Sequence, residues 1–407
     1  MHLLRMLLLF FAFSANSAMA QDSNNFTPIP GQYIVLIKET VLTPVCLQQT
    51  EVADREQTAV NNAPLRTNNL VKLKSLRSSL GIAETAVLAE YADVVVGFTA
   101  QLTNQEVLRL QQHPDVEGVY QDYEVMSTFP DLEELPKGTE VTGQVTTCAI
   151  TNAGGYLDGS TKSNYIWILD TGIDLDHPDL NVVTNPSLAK SFIPGVGPDD
   201  DHGHGTHVAG IAAAKNNGIG VVGVSAGAKV VPVKVLGSSG GGTWSQLLQG
   251  LNHVATYDKT NDVVNLSMGG YPITNCENSD VTLRNAIRNL GTSGTYVCIA
   301  AGNESGDAAK SRPGCINGVR VFTVGAMSCA KACATYSNWS SSVVDWVATG
   351  SSVYSTYKNG GYATMSGTSQ ATPVVSGIIH ARVNAPLAGG LLNCGTPAAP
   401  YRIAKRN

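Results

Sequence analysis

The sequence predicts a two-unit α/β protein: a parallel twisted sheet with helices on both faces, preceded by a small α+β domain. Three observations carry that expectation. From Tyr165 onward, short continuous apolar strands alternate with helical stretches, the pattern of a parallel sheet covered on both faces. Residues 32–128 carry their own succession of strand and helix signals, in the order β-α-β-α-β. A chain of 407 residues with 41 glycines and only 14% charged side chains suits large cores joined by tight turns, not disorder.

The chain opens MHLLRMLLLFFAFSANSAMA. Arg5, an apolar run from Met6 to Phe13 and the small pair Ala18 and Ala20 read as a secretory signal (residues 1–20), cut after Ala20. The run is well short of the ~20 residues that span a bilayer, which argues against an anchor. Residues 21–30 are polar with two prolines. Gln32–Ile37, apolar and β-branched, reads as a strand; Val71–Leu80 reads as a helix; Val94–Leu102 reads as a strand. Asn104–His113 follows as a helix and Val116–Val125 as a closing strand, giving one sheet and two helices. Residues 129–150, rich in Pro, Glu, Thr and Gly, read as a linker.

In the second unit the expected strands are Tyr165–Asp170, Val230–Leu236, Val263–Met268, Tyr296–Ala301 and Val319–Gly325. Thr243–Tyr257 places Trp244, Leu247, Leu248, Leu251 and Val254 on one helical face, and Asp280–Leu290 is a further helix. In such sheets ligands gather at the carboxyl ends of the strands.

A net charge of −6 offers nothing to a phosphate backbone, which argues against nucleic-acid binding. Eight cysteines in an exported chain read as disulfides, with no paired Cys-x-x-Cys units to suggest zinc. Cys46 falls in the first unit, leaving an odd seven, so one is expected free; Cys298, in an apolar run, is the candidate.

Three segments carry chemistry. Ile168-Leu169-Asp170-Thr171-Gly172 ends a buried strand on a carboxylate, which needs a partner in apolar surroundings. Asp201-His202-Gly203-His204-Gly205-Thr206-His207 leads into a helix with an imidazole able to take and return a proton. Ser366-Gly367-Thr368-Ser369-Gln370-Ala371 sets a serine at a helix start, where backbone N–H groups can hold an oxyanion. Taken alone, Asp170 reads as a turn residue and Ser369 as a helix cap. Together they supply nucleophile, base and orienting acid, in the chain order Asp, His, Ser.

ILDTGID, HGTHVAG and SGTSQATP resemble the three active-site signatures of the subtilisin-like serine proteases. The resemblance implies a secreted endopeptidase with Asp170, His204 and Ser369 as its triad and Asn303, in Ala300-Ala301-Gly302-Asn303, as the oxyanion donor. It implies substrate binding by Gly240, Gly241 and Gly242 on one side and Ser267, Met268, Gly269 and Gly270 on the other, with Lys310–Pro313 bordering the pocket floor. It implies a structural calcium ion held by Asp179, Asn217 and the carbonyls of Lys215, Ile219 and Val221. It further implies that residues 21–128, core about 32–128, are an inhibitory propeptide, removed near Thr128–Pro130 to leave a peptidase domain at 129–407. Expected partners are protein or peptide substrates and the chain's own propeptide. The processed enzyme is expected to be a monomer, associated with neither nucleic acid nor membrane.

Other readings stand beside this one. The cluster of Asp199–Asp201, His202, His204 and His207 could hold a transition metal. A silent scaffold, a permanently attached first domain, and an esterase are also weighed; Gly367-Thr368-Ser369-Gln370-Ala371 lacks the last glycine of an esterase elbow.

Overall fold

A computed structural model describes residues 26–48, 54–126, 131–134 (backbone alone), 143–273, 276, 281–395 and 398–407. The expected signal and the expected cut at Thr128–Pro130 lie outside these residues.

The first unit has strands β1 (Pro28–Ile37), β2 (Val87–Tyr91), β3 (Gly97–Gln101) and β4 (Val116–Met126), with helices α1 (Arg55–Ser79) and α2 (Asn104–Gln111). β1 pairs antiparallel with β3 and β4, and β2 with β3. The observed order is therefore β-α-β-β-α-β, one strand more than the sequence suggested. α1 is also far longer than the expected Val71–Leu80. Its early turns bury Thr58, Asn62 and Asn69 rather than an apolar stripe, so helical periodicity is invisible there. Asn69 Nδ2 donates to Thr43 O at 2.9 Å. α2 begins at a capping box in which Thr103 and Glu106 satisfy each other's backbone N–H groups.

In the second unit, β5 (Asp131–Glu134) and α3 (Cys148–Asn152) lie in the stretch expected to be linker. Then come β6 (Ile166–Asp170), α4 (His204–Ala213), β7 (Lys229–Lys234), β8 (Gly241–Thr243), α5 (Trp244–Tyr257), β9 (Val263–Leu266) and α6 (Val281–Ser293). β10 (Tyr296–Ala300), β11 (Val321–Met327), β12 (Val344–Thr349), β13 (Val353–Tyr357), β14 (Gly361–Ser366), α7 (Thr368–Arg382), β15 (Leu387–Cys394) and β16 (Ala399–Lys405) complete it.

The main sheet runs β15-β16-β12-β11-β10-β9-β6-β7 and ends on short strands at 181–182 and 190–191. All its pairs are parallel except β15 with β16. β6, β9 and β10 are buried along their whole length, which is why they read as unbroken apolar runs. A separate sheet, β13-β14-β5, packs beside α4.

Disulfides join Cys148 to Cys329, Cys276 to Cys315 and Cys333 to Cys394. The last ties down the C-terminal hairpin β15–β16. Cys298 is free and buried as expected, and so is Cys46.

The two units share one hydrophobic core. Ile34, Leu36, Tyr91 and Val125 of the first pack with Leu247 and Leu251 of α5 and Leu283 and Ile287 of α6. The first sheet itself continues across the boundary, because β8 pairs with β4.

Candidate active site

β6 delivers Asp170 to the carboxyl end of the sheet, and Gly172 turns the chain away at φ 103°. A Cβ at Gly172 would come 2.5 Å from Pro198 O, so the turn admits no side chain. α4 starts at His204 behind Gly203, at φ 112°, where a Cβ would sit 2.2 Å from the Tyr357 ring. His204 Nδ1 and Asp170 Oδ1 are 2.7 Å apart, both residues fully buried, and Thr171 N donates to the same oxygen at 2.7 Å.

α7 starts at Thr368 with Gly367 as its cap, so Ser369 lies one residue inside the helix rather than capping it. Ser369 is doubly tied to β9's continuation. Its Oγ donates to Ser267 O at 3.0 Å, and Ser267 Oγ donates to Ser369 O at 2.8 Å. Behind them Asn265 Nδ2 donates to Ser267 Oγ, and Ser376 Oγ donates to Asn265 Oδ1, each at 2.8 Å. α4 and α7 lie side by side. A Cβ on Gly377 would be 2.8 Å from Ala212 O, so the two helices approach closely there.

Asn303 follows β10. Its Oδ1 accepts from Thr368 N at 2.8 Å and from Thr368 Oγ1 at 2.9 Å, and Gly302 N donates to Thr368 Oγ1 at 3.1 Å. With the carbonyl end so engaged, the amide Nδ2 lies 3.5 Å from where a Gly367 Cβ would be.

The polar cluster around His204 is occupied structurally. Asp200 accepts from Thr171 Oγ1, His202 N, Gly203 N, Thr206 N and Thr206 Oγ1, at 2.6–3.0 Å. Asp201 accepts from the buried Lys234 Nζ at 2.6 Å. His207 Nε2–H reaches Val353 O and Ala363 O, both at 3.1 Å, and burial pushes its pKa down to about 3. Among the described residues, no three His, Cys, Asp or Glu side chains group as metal ligands. Asp200, expected only as a possible metal ligand, is instead a positioning residue for the turn that leads to His204.

Of the expected substrate segments, Gly241–Thr243 is β8 and pairs antiparallel with β4, Gly241 opposite Met126. Gly240 precedes it at φ 76°. Met126 also bridges Gly269, so the end of the first unit lies between the two segments. Met268 is buried in the core, so the Gly269 backbone, not the Met268 side chain, meets the strand. Gly270 bridges Arg312 and packs on Phe26, where a Cβ would be 2.1 Å from the ring.

The expected calcium residues also converge. Asp179 Oδ2 accepts from Val221 N at 3.0 Å and Tyr362 OH at 3.3 Å, and Asp179 O accepts from Lys215 N at 2.8 Å. Asn217 Oδ1 accepts from Ile219 N at 3.1 Å. Gln144 was not expected. Its Oε1 accepts from Asn217 N and Gly218 N, both at 2.9 Å, so it clasps the loop from the segment before α3. The pairing of Val145 with Val221 brings it there.

A buried Asp170–His204 pair heads α4, Ser369 stands in the first turn of α7, which packs on α4, and the leading domain's last strand lies between Gly241–Thr243 and Gly269; this is the arrangement of an α/β serine hydrolase whose groove is filled by its own leading domain. The chain belongs to the subtilase family, whose profile matches residues 161–385, and the Peptidase inhibitor I9 profile matches residues 32–127. It is thus a serine endopeptidase made as a precursor with an inhibitory propeptide. It is 32% identical over 334 residues to "Alkaline serine protease ver112" of Corniculantispora psalliotae, covering 77% of this chain and 80% of that protein. It is 36% identical over 296 residues to "M-protease" of Shouchella clausii (72% and 70%). With "Cuticle-degrading protease" of Metarhizium anisopliae it shares 31% over 321 residues (76% and 78%). Among solved structures, a cold adapted subtilisin-like serine proteinase is 32% identical, with a TM-score of 0.48, covering 55% of this chain and 76% of that one. Among the described residues, no helix is long and apolar enough to cross a membrane.

Proposed function

We propose that the secreted, processed protein cleaves peptide bonds through Ser369, with His204 as base, Asp170 as its orienting acid and Asn303 as oxyanion donor. Ser369 Oγ attacks the carbonyl carbon while its proton passes to His204 Nε2. Asp170 holds the imidazole by Nδ1–H and stabilises its charged form. The oxyanion takes hydrogen bonds from Ser369 N–H and Asn303 Nδ2–H. On collapse the leaving amine takes the proton from His204, and water repeats the sequence on the acyl-enzyme.

The observation that supports this reading is the seating of β4 between Gly241–Thr243 and Gly269. A substrate added in the same place would be held by its backbone, in strand addition. β4 ends at Met126 and β5 begins at Asp131, opposite Ser366 and three residues from Ser369, so the expected cut at Thr128–Pro130 falls between these two points. Removal of residues 21–128 then opens the groove.

Calcium fits the Asp179 loop. Asp179 Oδ1 is buried and accepts no hydrogen bond among the described residues, and burial pushes the carboxyl up to about 6. One carboxylate, the Asn217 and Gln144 amide oxygens and the carbonyls of Lys215, Ile219 and Val221 form an all-oxygen set suited to a hard cation. Its role there is structural.

An organophosphonate added to the processed protein tests the mechanism. Labelling of Ser369 that vanishes in Ser369→Ala is expected. No label, or equal label on the variant, would defeat the assignment.

A further inference from the structure

The leading domain touches the catalytic domain at a second place, far from the groove. At the first turn of α1, Arg55 reaches into the catalytic domain and is itself buried. Its two Nη groups donate to the two oxygens of Asp262, Nη2 to Oδ1 at 2.8 Å and Nη1 to Oδ2. Nη2 also donates to Ser163 O at 2.9 Å, and Nη1 to Tyr257 O at 3.3 Å. The guanidinium carbon lies 3.8 Å from the centroid of the Tyr165 ring. Beside it, Asn185 Nδ2 donates to Glu56 Oε1 at 2.8 Å.

Every group that receives Arg55 belongs to the catalytic domain, and that domain holds the receptor in place by itself. Asp262 is fully buried. Its Oδ1 accepts from Tyr165 N at 2.8 Å, and its Oδ2 from Trp167 Nε1 at 2.8 Å and Lys259 N at 3.1 Å. Tyr165 precedes β6 and Asp262 precedes β9, so the pocket sits at the amino ends of the strands whose carboxyl ends bear the catalytic groups. Tyr165 lies five residue steps before Asp170 along β6, roughly 17 Å at strand rise.

A planar fork meeting both carboxylate oxygens, two carbonyls that accept from its Nη groups and an aromatic ring against its face select a guanidinium over an ammonium. We infer that the catalytic domain carries a guanidinium pocket built on Asp262, which keeps the leading domain seated through Arg55 after the chain between the two domains has been cut. The role after cutting rests on the precursor reading above; the pocket itself does not.

Two arms test it on the full chain. In the uncut Ser369→Ala background, Arg55→Ala is expected to lower the thermal midpoint by roughly 5 °C, because it strips the partner from a buried carboxylate. Millimolar methylguanidinium should then recover part of the loss while leaving the Arg55 parent unchanged. Methylammonium at equal ionic strength should recover nothing, and Arg55→Lys should stay well below the parent. An unchanged midpoint, equal response to both cations, or full function of lysine would overturn the pocket. In the active chain, Arg55→Ala should be cut at the same bond but lose the cut leading domain on size exclusion roughly tenfold sooner or more. Equal retention would overturn the seating role. A parent chain that never cuts itself would sink the precursor reading, while the first arm would still decide the pocket.

Discussion

Asp200 shows how much of an active site can rest on a residue with no part in the reaction. Five donors converge on it from both sides of His204, fixing the turn from which α4 departs. The Asp170–His204 pair could be proposed from sequence because its segments carry unusual residue combinations; Asp200 could not, because an acid in a polar turn looks like any other. Asn303 entered as the proposed oxyanion donor only through family likeness, since an Asn after a strand is ordinarily a turn residue. The proposal gives its amide two jobs that substitution can separate. Asn303→Asp keeps the acceptor for Thr368 but loses the donor, and Asn303→Ala loses both. Both should lower kcat, by roughly the 10²–10³ that loss of such a donor costs in the relative subtilisin, with KM little changed. Steady-state kinetics on a peptide anilide checks this; an aspartate variant with full kcat would remove Asn303 from the oxyanion site.

Among the elements, the five parallel strands β6, β7, β9, β10 and β11 were read closely, because burial on both faces makes such strands continuous apolar runs, whereas β12 and β16 went unread. α5 was read to within a residue from its apolar face alone; the Thr243 capping box that starts it emerges only in the structure. Only the last part of α1 was read, because most side chains facing inward from its earlier turns are polar, and β2 escaped because its five residues, half-buried at a sheet edge, show little pattern. The seam between the units was not legible at all, since it depends on groups that meet only in space. Asn252 of α5 illustrates this. Its Oδ1 accepts from the backbone N–H groups of Ala92, Asp93 and Val94 of the leading domain, at 3.2, 2.9 and 3.2 Å. Asn252→Ala should weaken the hold on that domain by about 1–3 kcal/mol. The expected readout is a shorter lag before activity appears during self-processing, and an unaltered lag would show that the turn contributes nothing to inhibition.

For the molecule as a whole, the proposed calcium site would couple pH to calcium through Asp179. Burial raises its carboxyl to about 6, above its value of 3.8 when exposed. Without the ion, the folded state therefore binds more protons than the unfolded one between those values, and this group costs stability as pH rises through that window. Ionised Asp179 is also what a cation needs. Stabilisation by calcium should thus be full above about pH 6 and fade as pH falls through it. Thermal midpoints with calcium and with chelator, compared at pH 5 and pH 8, should differ much more at pH 8. Equal differences would exclude Asp179 as a ligand. The three disulfides sit apart from this, all within the catalytic domain, and none crosses to the leading domain. Nothing covalent beyond the main chain has to break for the domains to part.

β8 has a further consequence. As long as the leading domain is in place, those three residues close the rim of someone else's sheet, and their backbone is spoken for. Departure of that domain turns the same rim into a vacant berth that any extended polypeptide can fill. A berth only three residues long grips too briefly to recruit whole strands into aggregates. The enzyme can therefore hold one guest at a time and still let it go.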